Sequence, residues 1–107
     1  MTDIFNYNRR KSSTVKAGNC LIGGDNPIRL QSMTTTNTND TEASVEQAIR
    51  IIKAGGELVR LTTQGTREAL NMGNIRYALR CRGYSVPLVA DVHFNANVAD
   101  VAAEHCD

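Results

Sequence analysis

The chain has 107 residues, of which 41% are hydrophobic and 21% are charged, and its formal net charge is +1. This balance excludes both the basic excess typical of nucleic-acid-binding proteins and the acidic excess typical of disordered tails. No apolar run approaches the roughly 18 residues of a membrane span, and no secretory signal is recognisable. We therefore expect a cytoplasmic protein with neither nucleic acid nor membrane as a partner.

The first part of the chain predicts a leader followed by a hairpin. Residues 1–12 are mostly polar and basic, and we expect them to be irregular. Two short strand-like runs follow, at residues 14–17 and 20–22, separated by the turn pair Gly18-Asn19. The hairpin that they predict could cover the lower end of a barrel.

Three apolar segments then run directly into polar or ionisable residues, at intervals of about 30 residues. Strands are predicted at residues 28–30, at residues 57–61 and from Pro87 onward. The residues that follow or end these apolar segments are Gln31, Ser32, Met33 and Thr34 for the first, Arg60 for the second, and Asp91, His93 and Asn95 for the third. In a (β/α) barrel, the carboxyl ends of the strands carry the chemistry, so this pattern indicates an enzyme.

Helical patterns separate the predicted strands. Asp40 or Thr41 begins the first helix, Thr66 begins the second, and Val98, Val101 and Ala102 mark the core face of a third. We expect the third helix to continue to the end of the chain or nearly so.

This alternation predicts an α/β fold, namely the N-terminal hairpin and the first three βα units of a (β/α)8 TIM barrel. Because three units do not close a barrel, residues 13–107 are expected to be the N-terminal part of a TIM-barrel substrate-binding domain. A complete small open α/β sheet is the alternative, although it would leave an exposed edge strand.

Asp91 and His93 are the candidate catalytic residues. They alternate with Val92, so both should project from one face of the third strand. Such a pair could bind a metal, act in acid–base catalysis, hydrogen-bond a polyhydroxylated ligand, or merely satisfy the backbone of neighbouring loops.

Arg60 is a candidate anion-binding residue because an arginine is costly to bury without an anionic partner. That partner could be a phosphate group of a ligand or an interior acid such as Asp91. The neutral polar residues near the strand ends suit the orientation of an oxygen-rich ligand; they are Gln31, Ser32, Thr34, Thr35, Thr36, Thr62, Thr63 and Gln64.

Cysteine usage indicates a reducing compartment. Cys20, Cys81 and Cys106 are widely spaced and contain no C-x-x-C pair, so neither a disulfide framework nor a local metal site is predicted. We expect all three to be small buried hydrophobic residues.

Four segments, in this order and spacing, resemble the start of the 4-hydroxy-3-methylbut-2-enyl diphosphate synthase family of the non-mevalonate isoprenoid pathway. They are IRLQSMTTT, NDTEASVEQ, AGGELVRLTTQG and VPLVADVHFN. The leader stretch FNYNRRKSSTV resembles the larger form of the enzyme, in which an extra domain is inserted between the barrel and the cluster domain.

The resemblance implies an N-terminal barrel and a C-terminal domain with a [4Fe-4S] cluster on three cysteines and a glutamate, none of them in this chain. The family converts 2-C-methyl-D-erythritol 2,4-cyclodiphosphate into 4-hydroxy-3-methylbut-2-enyl diphosphate with two electrons from ferredoxin or flavodoxin. The protein could form a homodimer, and the sequence does not decide its oligomeric state. This chain alone is expected to bind no cluster or other metal and to be inactive.

The resemblance also suggests roles for individual residues. Arg60 matches the arginine that binds the substrate diphosphate, and Asp91 and His93 match a D-x-H motif that faces the substrate. Gln31, Ser32 and Met33 match the first-strand motif at the base of the site. We add Thr34 and Asn95 to the substrate-binding candidates.

The chain departs from the family pattern at one position, and rival interpretations of the sequence remain open. Thr35 stands where the family often has asparagine, which puts a ligand role at that position in doubt. The rival interpretations are a dihydropteroate-synthase-like barrel, a metal-dependent barrel with Asp91 and His93 as ligands, and a binding module without catalysis.

Overall fold

The structure is a computed structural model that describes residues 10–107. Most of the expected leader, residues 1–9, lies outside the described residues, and residues 10–12 have no regular secondary structure. The elements in chain order are β1 (Val15–Ala17), β2 (Cys20–Ile22), β3 (Gln31–Met33), α1 (Thr41–Lys53), β4 (Leu58–Thr63), α2 (Thr66–Cys81), β5 (Leu88–Val92) and α3 (Ala96–Ala102).

The predicted hairpin is confirmed. Strands β1 and β2 pair in antiparallel register, with Ala17 opposite Cys20. The intervening turn requires a positive φ of 56° at Gly18, where a Cβ would come within 3.2 Å of the Pro87 ring. Because Pro87 immediately precedes β5, the hairpin turn packs against the amino-terminal end of the sheet, as expected for a cover of that end.

The remaining strands form a parallel sheet in the order β3-β4-β5. Side chains alternate between its two faces. On one face, Val59 and Leu61 of β4 and Leu88 of β5 are buried in a core that α1 and α2 complete through Val45, Ala48, Met72, Ile75 and Leu79. The opposite face carries the intervening side chains, including Arg60 and Thr62, and corresponds to the interior of a barrel.

The helix termini follow the chemistry of their sequences. Helix α1 begins after Asp40, whose carboxylate accepts a hydrogen bond of 3.1 Å from the Ala43 amide. The chain then turns at Gly55, whose φ of 108° is in the left-handed region that favours glycine. Both ends of α1 are therefore where the sequence predicts them.

The first strand of the sheet is not where the apolar pattern places it. Residues 28–30 precede the strand, and the side chains of Ile28 and Leu30 are 81% and 60% exposed. The Leu30 carbonyl accepts hydrogen bonds from the Glu57 and Leu58 amides, at 2.8 and 3.2 Å, so the pairing with β4 starts only at this point. Gln31, Ser32 and Met33 therefore form the strand itself rather than the loop after it.

The other boundaries differ less. The second strand of the sheet begins at Leu58 and extends to Thr63, two residues beyond its predicted end. Helix α3 ends at Ala102 rather than near the end of the chain, and the Asp107 amide donates to the Leu88 carbonyl at 3.0 Å. The segment after α3 thus returns to the amino-terminal end of β5. Among residues 10–107, no helix is long and apolar enough to cross a membrane.

The core assignment predicts unequal costs for two chemically identical substitutions in the full-length protein. Leu61→Ala removes a fully buried side chain from the central strand and should cost about 2–5 kcal/mol of unfolding free energy. Leu70→Ala, at a side chain that is 57% exposed on α2, should cost less than about 0.5 kcal/mol. Urea unfolding followed by circular dichroism measures both, and equal costs would contradict the assignment of the core.

Candidate functional site

Arg60 and Asp91 meet on the interior face of the sheet. The register of β4 and β5 pairs Thr62 with Asp91, which places Arg60 one step away on the same face. The Arg60 Nη2 atom lies 3.0 Å from Asp91 Oδ2, and the two side chains are 41% and 20% exposed. The structure thus contains the ion pair that was one of the two interpretations of Arg60, and the guanidinium remains accessible from solvent.

His93 joins this pair from the residue after β5. Its backbone amide donates to the Thr63 carbonyl at 3.3 Å, which continues the strand pairing and directs the chain across the end of the sheet. Its Nε2 atom lies 3.4 Å from Asp91 Oδ2, the oxygen that also pairs with Arg60. Nε2 is buried and has no hydrogen-bond partner among residues 10–107.

The charge of Asp91 is stabilised by its neighbours. Partial removal from water acts to raise the pKa of this carboxyl, but the hydrogen bond and positive charge of Arg60, with a smaller contribution from His93, offset it and leave the pKa below its usual value. Asp91 is therefore an anion at neutral pH. It can hold a guanidinium and an imidazole in fixed positions.

The other predicted site residues do not all lie on this face. Met33 is opposite Arg60 in the register and Gln31 is opposite Leu58, so both share the face of Arg60. Ser32 points to the other side, where it lines a groove of about 370 Å³ against α1 with Gln47 and Arg50. Its predicted role in substrate binding therefore has no support from the geometry.

Thr34 and Asn95 both take part in local backbone structure near the ends of the strands. The Thr34 amide donates to the Arg60 carbonyl at 2.9 Å; its side chain is only 3% exposed, and its Oγ1 has no partner among the described residues. Asn95 is the N-cap of α3, and its Oδ1 accepts a 2.9 Å hydrogen bond from the Asn97 amide. An isolated Asn after a strand is a frequent helix cap, which the sequence alone does not separate from a ligand-binding residue.

A second polar cavity, of about 150 Å³, lies beside the carboxyl end of β4. Thr38 closes one side of it by donating to the Thr62 carbonyl at 2.6 Å. Sequence reasoning missed Thr38 and Glu68, which line this cavity together with Thr36, Asn37, Thr62 and Gln64. The position of Glu68 in the first turn of the helix after β4 was the available signal, because that turn lies at the same end of the sheet.

The three cysteines do not form a set of iron ligands. Cys20 is buried in β2, Cys81 is exposed at the end of α2, and Cys106 is partly buried after α3. Within the part of the chain that the structure describes, no group of three His, Cys, Asp or Glu side chains is arranged to hold a metal ion. No step of a reaction is therefore assigned to a metal on these residues.

Parallel strands alternating with helices, with an ion pair on the face away from the helices, are the arrangement of part of a TIM-barrel domain. Comparison with known families gives the more specific result. The family model described as the GcpE TIM-barrel domain matches residues 12–107, and the chain belongs to this family. The predicted fold class and the family resemblance are both confirmed.

Curated relatives carry a consistent name. The chain is 66% identical over 105 residues to a protein of Phocaeicola vulgatus and 64% identical over 105 residues to one of Bacteroides thetaiotaomicron, covering 98% of this chain in both cases. It is 50% identical over 107 residues, its whole length, to a protein of Porphyromonas gingivalis. All three are called 4-hydroxy-3-methylbut-2-en-1-yl diphosphate synthase (flavodoxin). The chain spans only 17% or 18% of the length of these relatives.

Asp91 is expected to compete with ligand anions for Arg60. Asp91→Asn keeps the size of the side chain but removes its charge, so inorganic diphosphate should bind the full-length protein about two- to fivefold more tightly, as isothermal titration calorimetry can measure. Glu57→Gln is the matched control. It removes a carboxylate 2.9 Å from Arg29 at the other end of β4 and should leave diphosphate affinity unchanged. Unchanged or weaker binding in Asp91→Asn would contradict the competition.

The pH dependence of this difference follows from the lowered pKa of Asp91. A carboxyl whose pKa is lowered in the folded state stays charged even at pH values somewhat below its usual pKa, and the contribution of its ion pair is lost only as the pH falls through the folded-state pKa. The affinity difference between wild type and Asp91→Asn should therefore persist as the pH is lowered from neutrality and narrow only below the usual carboxyl value of about 3.9. The ratio of the two affinities is taken at each pH, so that protonation of the free diphosphate affects both proteins equally.

Proposed function

We propose that the full-length protein converts 2-C-methyl-D-erythritol 2,4-cyclodiphosphate into 4-hydroxy-3-methylbut-2-enyl diphosphate, opening the ring and reductively removing a hydroxyl group. The observation that carries the proposal is the cluster of Arg60, in β4, with Asp91 and His93 at the carboxyl end of β5. The names of relatives at 66% and 64% identity support it. Because the chain covers a small part of those proteins, it would supply part of the substrate site.

Arg60 is proposed to bind the diphosphate. Its guanidinium has five N–H donors in a planar fork, and the structure shows Nη2 engaged with Asp91 while 41% of the side chain is exposed. An entering diphosphate can therefore use the free donors first and then displace the carboxylate. Until the ligand arrives, the ion pair keeps Arg60 oriented and the carboxylate competes with the ligand for its donors.

Asp91 and His93 are proposed to act at the carbon skeleton. Asp91 Oδ2 lies 3.4 Å from His93 Nε2 and fixes the position of the imidazole, while 36% of the His93 side chain is exposed and can contact a ligand. Loss of a hydroxyl group as water requires a proton, and we propose that the imidazole of His93 donates it. Gln31 and Met33, on the same face of β3, would complete the floor of the site.

The two electrons of the reduction must come from elsewhere. We propose that a [4Fe-4S] cluster supplies them, held by residues of the longer protein, since Cys20, Cys81 and Cys106 do not converge. Flavodoxin is the expected electron donor because it appears in the names of the relatives, with ferredoxin as the alternative. We also propose that the protein is the larger form of the enzyme. A cytoplasmic location is proposed as well, and the three free cysteines support this location.

A metal-dependent barrel with Asp91 and His93 as ligands is less favoured by the geometry. The Arg60 guanidinium lies 3.0 Å from the Asp91 oxygen that would bind the metal, and its charge opposes a cation there. A binding module without catalysis remains a testable alternative. It would bind the cyclodiphosphate and not consume it.

Removing the guanidinium should weaken substrate binding more than turnover. Arg60→Ala in the full-length enzyme should raise KM about 10- to 100-fold, because charge-assisted hydrogen bonds to the diphosphate are lost, and Arg60→Lys should lie in between. Arg80→Ala, on the exposed last turn of α2, is the control and should leave KM unchanged. Steady-state kinetics with the cyclodiphosphate measures all three, and an unchanged KM in Arg60→Ala would contradict diphosphate binding at this residue.

Removing the imidazole should act on turnover instead. His93→Ala should lower kcat by about 100-fold with a smaller change in KM, since a proton donor in the transition state is lost. The second histidine of the chain provides a matched control, because His105 packs on Gly73 outside the sheet interior and His105→Ala should keep kcat. Intact turnover in His93→Ala would rule out its proposed role.

A further inference from the structure

Phe94 combines two unfavourable features at the edge of the candidate site. Its φ is 61°, and it is the single non-glycine residue with a positive φ among residues 10–107. Its side chain is also fully exposed, at 103% of the reference area. A bulky residue in the left-handed region is a genuine outlier, and an exposed phenyl ring gains nothing from burial.

The backbone conformation has a local explanation. The chain leaves β5 at Val92 and must turn within three residues to reach Asn95, the N-cap of α3. A left-handed residue at position 94 makes this turn possible. Asn or Gly would adopt the conformation at lower cost, however, so the turn accounts for the φ value and not for the phenyl ring.

The ring contacts His93. The centroids of the two rings are 5.6 Å apart with an interplanar angle of 66°, a T-shaped arrangement that is favourable for aromatic pairs. The other neighbour of the imidazole is Asp91, 3.4 Å from Nε2. The imidazole therefore contacts both a phenyl ring and a carboxylate, and these two contacts can bias its χ2 rotation, which is otherwise soft.

We propose that Phe94 is a positioning residue for the reaction, whose ring holds the His93 imidazole in the orientation that faces Asp91 and the substrate. The inference rests on the proposed function of His93. The phenyl ring itself transfers no proton and binds no phosphate. The position thus carries an aromatic residue despite the strain of its left-handed backbone.

Two substitutions separate the ring from the backbone. Phe94→Asn suits the left-handed backbone and removes the ring, whereas Phe94→Tyr keeps the ring contact. In the full-length enzyme we expect Phe94→Asn to lower kcat about 10-fold, with KM changed less than about threefold and with an unchanged or higher thermal unfolding midpoint. We expect Phe94→Tyr to retain kcat within about twofold.

Three results would overturn the proposal. If Phe94→Asn keeps wild-type kcat, the ring does not position His93. If Phe94→Tyr loses as much kcat as Phe94→Asn, the ring contact is not the cause. If Phe94→Asn lowers the unfolding midpoint together with kcat, the role of Phe94 is merely structural.

A measurement without turnover distinguishes failure of this inference from failure of the proposed function. In full-length protein with ¹³C-labelled histidine, the ring signals of His93, assigned through His93→Gln, should shift in Phe94→Asn and remain in place in Phe94→Tyr. Unchanged signals in Phe94→Asn would overturn the ring contact itself. If the His93 signals of Phe94→Asn differ from those of the wild type as expected, but the wild-type protein consumes no cyclodiphosphate, the proposed function alone is contradicted.

Discussion

The alternation of side chains along β4 is the constraint on which the rest of the structure depends. Val59 and Leu61 must face the helices to build the core, and Thr63 continues that face, with its hydroxyl 3.3 Å from Met72 Sδ. Arg60 and Thr62 are consequently directed to the opposite face. A shift of one residue in the register would place the Arg60 charge in the apolar core, so the burial of Val59 and Leu61 fixes the position of Arg60.

Two ion pairs at opposite ends of the sheet illustrate different uses of the same chemistry. Glu57 accepts from Arg29 Nη1 at 2.9 Å and from the Leu30 amide at 3.3 Å; the Arg29 hydrogen bond, then that of Leu30, lowers the pKa of Glu57. These contacts join the segment before β3 to the start of β4. The pair of Arg60 and Asp91 instead adjoins His93, whose buried Nε2 has no partner among the described residues. Glu57 and Arg29 therefore bond only to neighbouring parts of the described chain, whereas the exposed Arg60 guanidinium keeps donors that a ligand can use.

Much of the fold was predictable because its elements obey local rules. The cap at Asp40, the turn at Gly55 and the alternation of β4 each follow from a few neighbouring residues. The exposure of Ile28 and Leu30 was not predictable in the same way, since apolar composition indicates a strand but the register with β4 decides where pairing begins. That register is a long-range property.

The candidate site was predictable to a similar degree. Alternation was sufficient to place Asp91 beside His93, and the ion pair with Arg60 was one of two interpretations left open. The face of Ser32 depends on the register that pairs it with Val59, and the cap role of Asn95 depends on where α3 starts. A shift of one or three residues in the position of a strand thus changes which face a side chain is assigned to, because the period of a strand is two residues.

The departures from local rules are concentrated at one end of the sheet. Thr34 Oγ1 and His93 Nε2 are buried without partners among residues 10–107, and Phe94 holds a left-handed backbone; all three residues follow the carboxyl end of β3 or β5. A third buried atom without a partner, Arg76 Nε, lies elsewhere, but its guanidinium is anchored 3.3 Å from Asp107. At the amino-terminal end, Glu57 and the hairpin turn are fully engaged. Because unsatisfied polar groups and backbone strain each oppose folding, their concentration at the carboxyl ends of the strands is independent physical support for a site there.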